Sequence, residues 1–391
     1  MKTMRSLLVA VLLLVVVCAR AQQADNSNPL RIAILVPLYT DSAFNGTEYK
    51  LGNADLPRQM IPGLDFYNGA LLAIDSLQKE QANLEVWVYD TKQEKQSLQQ
   101  TLSNLRTQNI ALLIASFNNS TEQKMVSDFA FSQNVPVISA TYPNEAGVTT
   151  NPFFILVNST LKTHIEAIYN YAWKNYNNRI ILFTRKGLME DRIAAQFTAM
   201  DKVRKPALRY KTVVLPDNFS DTTVLRFLDS TRNNVVMTGS LNEAFGASLV
   251  KALGSNSSYR VTAIGMPTWD GIFAFNKAGN ANVELVYSTP YNYTRTEGAG
   301  AGITNAYKAR WQGRPSDMVF KGFESVYHFS KLLLKHRSNF INNVSDSAFI
   351  IFNEFRFEPV MATDSSFAPD YMENRKLYFV KKQNGVIKSV N

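Results

Sequence analysis

Three histidines, a single cysteine and a few adjacent acids are the side chains of this 391-residue chain that could hold a metal or attack a substrate. His164, His328 and His336 all stand in helical stretches, the last two in the same one, and none has H-x-H or H-E-x-x-H spacing. That spacing is what turns two imidazoles toward one ion, so a histidine metal site is not expected. There is no G-x-S-x-G elbow to expose an activated serine. There is no G-x-x-x-x-G-K-[ST] or G-x-G-x-x-G loop to cradle phosphate. The pair Glu190-Asp191 diverges as helix neighbours do, and reads as a solvated first turn that answers the helix dipole. The chain is expected to be no enzyme, with no cofactor and no metal.

A gentler chemistry is written in short polar segments, each just after an apolar run. These are Tyr39-Thr40, then Ser116-Phe117-Asn118-Asn119-Ser120, then Ala140-Thr141-Tyr142, and later Arg185-Lys186, Gly239 to Asn242 and Pro267-Thr268-Trp269-Asp270. Hydroxyls, amides and aromatic faces bind by hydrogen bonding and stacking. A helix opening at Ser120 offers free N–H groups to an anion, with Gln123 placed for a capping box. Arg185 can pair a carboxylate in two-point fashion, or lie on the surface near Glu190. Trp269 suits either a ligand face or a buried lobe interface.

The runs before these segments explain why they gather. Arg31 to Leu38 is nearly all apolar, as a strand covered on both faces should be, and Leu64 to Leu77 then repeats at helical spacing. Strands at Leu84 to Tyr89, Ala111 to Ala115 and Val135 to Ser139 alternate with helices marked by Leu98, Leu102 and Leu105 and by Met125 and Phe129. This is a βαβ series, hence a parallel sheet with helices on both faces. The series restarts at Phe153 to Val157 and continues through strands at Arg179 to Phe183, Tyr210 to Leu215, Asn234 to Thr238, Tyr259 to Ile264 and Val283 to Tyr287. Helices follow at Ala301 to Trp311 and Gly322 to His336. Ile350 to Phe357 and Lys376 to Val380 read as antiparallel edge strands, with Asn384-Gly385 as a hairpin turn. The fold class is α/β, with two doubly wound, Rossmann-like lobes. Ligands of such sheets bind beyond the carboxyl ends of the strands, which is where the polar segments fall.

The start of the chain sets an expected compartment. Lys2 and Arg5 precede the apolar run Leu7 to Val17, and Ala19-Arg20-Ala21 has the A-x-A pattern of a secretory leader cut after Ala21. The run is shorter than the about 20 residues a membrane span needs. Lipidation at Cys18 ranks below plain cleavage, because Val17 precedes it. Cys18 is the one cysteine, so the exported chain carries no disulfide, which suits a bacterial envelope protein. The net charge of +9 is spread along the chain, and Lys202 to Lys205 is its tightest cluster. Nucleic acid is not an expected partner, nor is insertion in a membrane after cleavage.

Taken in order, these stretches carry a likeness. Ile34-Leu35-Val36-Pro37-Leu38, Tyr67-Asn68-Gly69-Ala70-Leu71-Leu72-Ala73-Ile74, Val88-Tyr89-Asp90-Thr91, Val137-Ile138-Ser139-Ala140-Thr141 and Gly322-Phe323-Glu324-Ser325-Val326-Tyr327 resemble the type I periplasmic solute-binding proteins, the group of the leucine/isoleucine/valine-binding protein. The resemblance implies three crossover hinge segments, lobes that are each discontinuous, and closure on a ligand. It places an Ala140 carbonyl and Thr141 on the ligand, and Asn118 near a carboxylate. The expected ligand set is Tyr39, Ser116, Phe117, Asn118, Ser139, Ala140, Thr141, Arg185, Asn242, Trp269, Asp270 and Tyr291. Lobe 1 is expected at 30–145 plus 290–345 and lobe 2 at 146–289 plus 346–391, turning near Thr141 to Pro152, Tyr287 to Tyr293 and Phe357 to Ala368. Two departures stand out. The loop Tyr39 to Gly63 is long, and Met189-Glu190 stands where the family has Tyr-Gly. The implied function is capture of a small polar, amino acid-like or other organic solute in the periplasm, for an inner-membrane ABC permease. The alternative is an envelope sensor or scaffold that uses the same fold to engage a protein.

Overall fold

The computed structural model describes residues 28–390 except 178, 273, 274, 276, 277, 280, 293, 294, 296 and 363–366. The expected leader, with Cys18, lies outside the described residues.

The first sheet has seven strands. β1 (Leu30–Val36) runs parallel between β4 (Leu84–Asp90) and β5 (Ile110–Ala115), with Ile34 opposite Val88 on one side and Ile114 on the other. β6 (Val137–Ser139) and β7 (Phe154–Leu156) extend it in parallel. β14 (Tyr371–Asn374) pairs with β7, and β13 (Phe357–Val360) closes the edge antiparallel. The period of two in β1 supplies two cores. Ile32, Ile34 and Val36 face one cluster with Phe66 and Phe329, while Ala33 and Leu35 face another with Leu102 and Phe129. The first cluster is covered by α2 (Ile61–Lys79) and α10 (Asp317–His336), and the second by α3 (Leu98–Leu105) and α4 (Ser120–Gln133). Two glycines bring α2 and α10 close. A Cβ on Gly69 would sit 2.0 Å from the Val319 carbonyl oxygen, and one on Gly322 2.1 Å from that of Phe66.

The long loop after β1 is itself built. It holds α1 (Thr40–Ala43) and a small hairpin of β2 (Phe44–Asn45) and β3 (Glu48–Tyr49). Asp90, at the end of β4, anchors its start. The carboxylate accepts from the backbone N–H of Leu38 at 2.9 Å, Tyr39 at 3.2 Å and Thr40 at 2.9 Å, and from the Thr40 hydroxyl at 2.8 Å.

The second sheet also has seven strands. β8 (Ile180–Thr184), β9 (Tyr210–Val214), β10 (Asn233–Thr238), β11 (Arg260–Gly265) and β12 (Val283–Thr289) are parallel in the order β9-β8-β10-β11-β12. β15 (Tyr378–Gln383) joins β12 antiparallel, and β16 (Val386–Val390) follows through the expected Asn384-Gly385 turn, both of whose residues have positive φ. α5 (Leu161–Asn175), α6 (Leu188–Val203), α7 (Asp221–Leu225) and α8 (Glu243–Gly254) flank this sheet. α9 (Gly298–Trp311) returns to the first lobe, where Arg310 bonds Asp75 at 2.9 Å.

The chain crosses between sheets after β7, after β12 and after β14. The strand pairing differs from the expected boundaries in two places. Phe154–Leu156 lies in the first sheet, so the chain leaves that lobe after Leu156 rather than at residue 146, and Thr141 to Pro152 is not a crossing segment. β13 and β14 also belong to the first sheet, and only β15 and β16 to the second, so Phe357 to Ala368 joins no lobes. A strand's own sequence says that it is a strand, while its neighbours decide which sheet takes it. Ile350 to Arg356 is not a strand, because the N–H groups of Phe352 and Asn353 bond the Glu324 carboxylate at 3.1 and 2.9 Å instead of a ladder. The cap of α4 is Asn119, whose side chain accepts from Glu122 N. Gln123 is buried and donates to the Asn144 carbonyl at 2.6 Å.

Candidate ligand-binding cleft

The expected first-lobe residues do converge, and they spend much of their bonding on one another. Ser116 and Thr141 hydroxyls lie 3.2 Å apart, and Thr141 Oγ1 also donates to the Phe117 carbonyl at 3.2 Å. The Asn118 amide donates to the Tyr39 hydroxyl at 2.8 Å. The Tyr291 hydroxyl donates to the Ala140 carbonyl at 2.6 Å. Ser139 is fully buried beneath them. Lys92 lies over the Tyr39 ring and pairs with Glu122 in the first turn of α4. That turn therefore already carries a carboxylate beside the Asn119 cap.

The expected second-lobe residues are dispersed. Arg185 approaches Glu190 at 3.8 Å and Asp217 at 3.3 Å. Asn242 caps α8 by accepting from Phe245 N at 2.8 Å. Trp269 has no exposed surface and lies against Gly246 and Gly265, where no Cβ would fit. Asp270 is exposed toward the cleft and accepts from the Tyr287 hydroxyl at 2.8 Å.

Between the lobes lies a cavity of about 710 Å³, within the range of small-molecule sites. Asp270 and Tyr291 line it, together with residues at all three crossings: Asn158 to Thr160, Ser288 to Tyr291, and Arg375. The first-lobe wall includes Glu145, Lys321 and Tyr371, and the second-lobe wall Lys162, Arg192, Thr268 and Asp270.

The crossing strands are tied by a buried polar network. Glu373, 1 % exposed, accepts at Oε1 from Thr160 N at 2.8 Å and from the Thr163 hydroxyl at 2.7 Å. It is thus a built-in anion at the positive end of α5. Arg375 bonds Thr163 and lies 3.5 Å from Glu373. The Ser159 hydroxyl donates to the Asn374 carbonyl at 2.6 Å, and Asn158 to the Thr141 carbonyl at 2.8 Å. His164 is wholly buried beside Ser288, and burial holds its imidazole down at about 3. Glu324, behind Tyr291, is pushed up to about 7 by burial, against the pull of the N–H groups that bond it.

Lys321 has a different setting. Its ammonium lies 4.1 Å from the Tyr291 ring centroid and lines the cavity, and among the described residues it makes no ion pair. Burial lowers its proton affinity, while Asp317 and Asp270 oppose that. Lys382, 3 % exposed behind the wall, lies over the Tyr287 ring and is lowered by the same cause.

The sequence reading missed Asn158 to Thr160, His164, Lys321, Glu373 and Arg375. Each is ordinary in its own element, and only the meeting of distant segments makes them neighbours. The apolar runs ending at Val157 and Thr289 were the available signal, since residues after strand ends are where to look.

No protein-family model matches the chain, and no curated protein matches it in sequence. Solved structures do match in shape. A putative branched-chain amino acid ABC transporter from Rhodospirillum rubrum superposes with a TM-score of 0.63 at 12 % identity, covering 93 % of this chain and 100 % of that one. An ABC transporter substrate-binding protein from Desulfitobacterium hafniense in complex with Leu gives 0.58 at 12 % identity, with 93 % and 100 % covered. A solute-binding protein of an ABC transporter from Rhodopseudomonas palustris BisB5, in complex with 3,4-dihydroxy benzoic acid, gives 0.53 at 14 % identity, with 93 % and 96 % covered. The chain therefore has the two-lobed fold of ABC transporter substrate-binding proteins, the type I periplasmic binding fold that its sequence resembles.

Proposed function

We propose that this chain is an exported solute receptor that closes its two lobes on a small organic molecule. The observation that carries the reading is the cavity of about 710 Å³ walled by both lobes at the crossings. A ligand there touches both lobes at once, so it stabilises the closed arrangement in proportion to its preference for it. Polar side chains line the walls, and no group of three or more His, Cys, Asp or Glu among the described residues could hold a metal ion. The leader pattern ending at Ala21 supports a periplasmic receptor. Its proposed partner is an inner-membrane ABC permease or sensor, in keeping with solved proteins of the same fold that carry that description. The ligand set centres on Tyr291 and Asp270, with Lys321 and Arg375 beside them. Tyr39, Ser116, Phe117, Asn118, Ser139, Ala140 and Thr141, expected from the sequence, are not among the residues that line this cavity.

The test is a thermal-shift screen of residues 22–391 against amino acids, short peptides, organic acids, sugars and amides, followed by solution scattering. A ligand at about 100 times its dissociation constant adds about 2.7 kcal/mol. The expected result is a hit that raises the melting temperature and reduces the radius of gyration. No hit, on protein shown by mass spectrometry to carry no retained ligand, would overturn the reading in favour of a scaffold that engages protein.

A further inference from the structure

The charged side chains around the cavity do not balance. Among the described residues seven line it: Lys162, Arg192, Lys321 and Arg375 against Glu145, Asp270 and Glu373. Glu373 and Arg375 are joined in the crossing network and answer each other. Asp270 already receives the Tyr287 hydroxyl, and it is the acid that both Lys321 and the buried Lys382 face. Asp317, the other acid near Lys321, is bonded to Arg295. Lys162 and Arg192, exposed on the opposite wall, make no ion pair among the described residues. A half-buried ammonium without an ion-pair partner carries a desolvation cost that an anion would offset, and the wall that holds it is part of an open cavity. A zwitterion's ammonium would have to compete with these cations for Asp270 and Glu145, the two acids of the lining outside the crossing network.

We propose that the cavity takes an organic anion of net negative charge, whose acidic group seats against Lys321 from the first lobe while Arg192 and Lys162 face it from the second. This rests on the solute-receptor reading of the same cavity. The site is offset from the strand-end residues Ser116, Asn118 and Thr141, which bond one another, and the anchor is a helix side chain of α10. Cations on both walls let one anion contact both lobes at once.

The experiment is titration calorimetry at low salt with five probes: glutarate, glycerol 3-phosphate, their neutral counterparts glutaramide and glycerol, and leucine. The expected result is binding of glutarate or glycerol 3-phosphate, at least tenfold tighter than the neutral counterpart and leucine. Which of the two binds separates carboxylate from phosphate ligands. Lys321→Gln should weaken that binding at least tenfold with an unchanged far-ultraviolet dichroism spectrum, while Lys388→Gln, on the exposed edge strand, should leave it intact. Equal binding of acid and amide, tighter binding of leucine, unchanged affinity in Lys321→Gln, or no binding of either acid overturns the proposal. Where a neutral solute binds and contracts the protein in scattering, the receptor reading stands and the anion proposal alone falls.

Discussion

The imidazole Nδ1 of His164 lies 2.8 Å from the hydroxyl oxygen of Ser288. The first turn of α5, entered from one crossing, is thereby bonded to the end of β12, which leads into the next. Both residues are buried at the edge of the cavity. Ser288→Ala should destabilise the protein by about 1–3 kcal/mol, the cost of leaving a buried polar atom unmatched. Urea unfolding measures it, and a change below about 0.5 kcal/mol would mean that the pair holds nothing.

Two buried groups give stability opposite slopes with pH. The folded state holds His164 near 3, below its ordinary 6.5. Between those values the unfolded chain binds the extra proton, so this contribution is lost as pH falls from 6.5 toward 3. Glu324 is held near 7, above its ordinary 4.5. Between those values the folded state binds the extra proton, so this contribution is lost as pH rises from 4.5 to 7. Each slope is at most about 1.4 kcal/mol per pH unit. In urea midpoints taken across this range, Glu324→Gln should lose less stability than the wild type from pH 5 to 7. His164→Asn should lose less from pH 6 to 4. Parallel profiles for all three proteins would contradict both assignments.

Asp90 is expected to be the main anchor of the start of the long loop. Asp90→Ala removes the acceptor for four backbone N–H groups, three of them at the start of the loop and the fourth of Lys92, and for the Thr40 hydroxyl. A loss of about 3 kcal/mol follows, since bonds to a charged group are the stronger kind. Hydrogen exchange locates the effect: amides of Leu38, Tyr39 and Thr40 should lose protection first. Exchange unchanged at those residues would show the loop to be held from elsewhere.

Glycines in two settings should respond in opposite directions. Gly69→Ala and Gly322→Ala each force a methyl into a carbonyl oxygen of the facing helix, and should cost about 1–3 kcal/mol or more through helix displacement. Gly302→Ala, on exposed α9 with nothing within 4 Å, should stabilise by up to about 1 kcal/mol through helix propensity. Thermal melts of the three variants rank them, and a stabilising Gly69→Ala would refute the close approach.

Local pattern made most elements legible. The apolar run at Arg31 to Leu38 became β1, and the leucine spacing from Leu98 to Leu105 became α3, because burial on two faces or on one stripe leaves a periodic mark. Asn384-Gly385 was readable as a turn because few other pairs accept two positive φ angles. Sheet membership was not readable. β7 and β14 carry nothing in Phe154–Leu156 or Tyr371–Asn374 that names the partner strand. The site divides in the same way. Tyr39, Asn118 and Thr141 follow strands and are named by rule, but they are not among the residues lining the cavity, whereas Lys321 and Glu373, which line it, sit within a helix and a strand. Their chemistry comes from what lies opposite.

The order of the strands also sets a timetable for synthesis. β7 needs β14 as its outer neighbour, yet the whole parallel part of the second sheet, β8 to β12, is translated between them. α10, which roofs the core over β1, emerges later still than β12. The first lobe to leave the ribosome must therefore wait, with an open edge and an uncovered face, while the second assembles most of its own sheet. That interval is when a nascent chain of this kind exposes the most apolar surface, and the stretch from β7 to α10 is where a holding chaperone would be of greatest use.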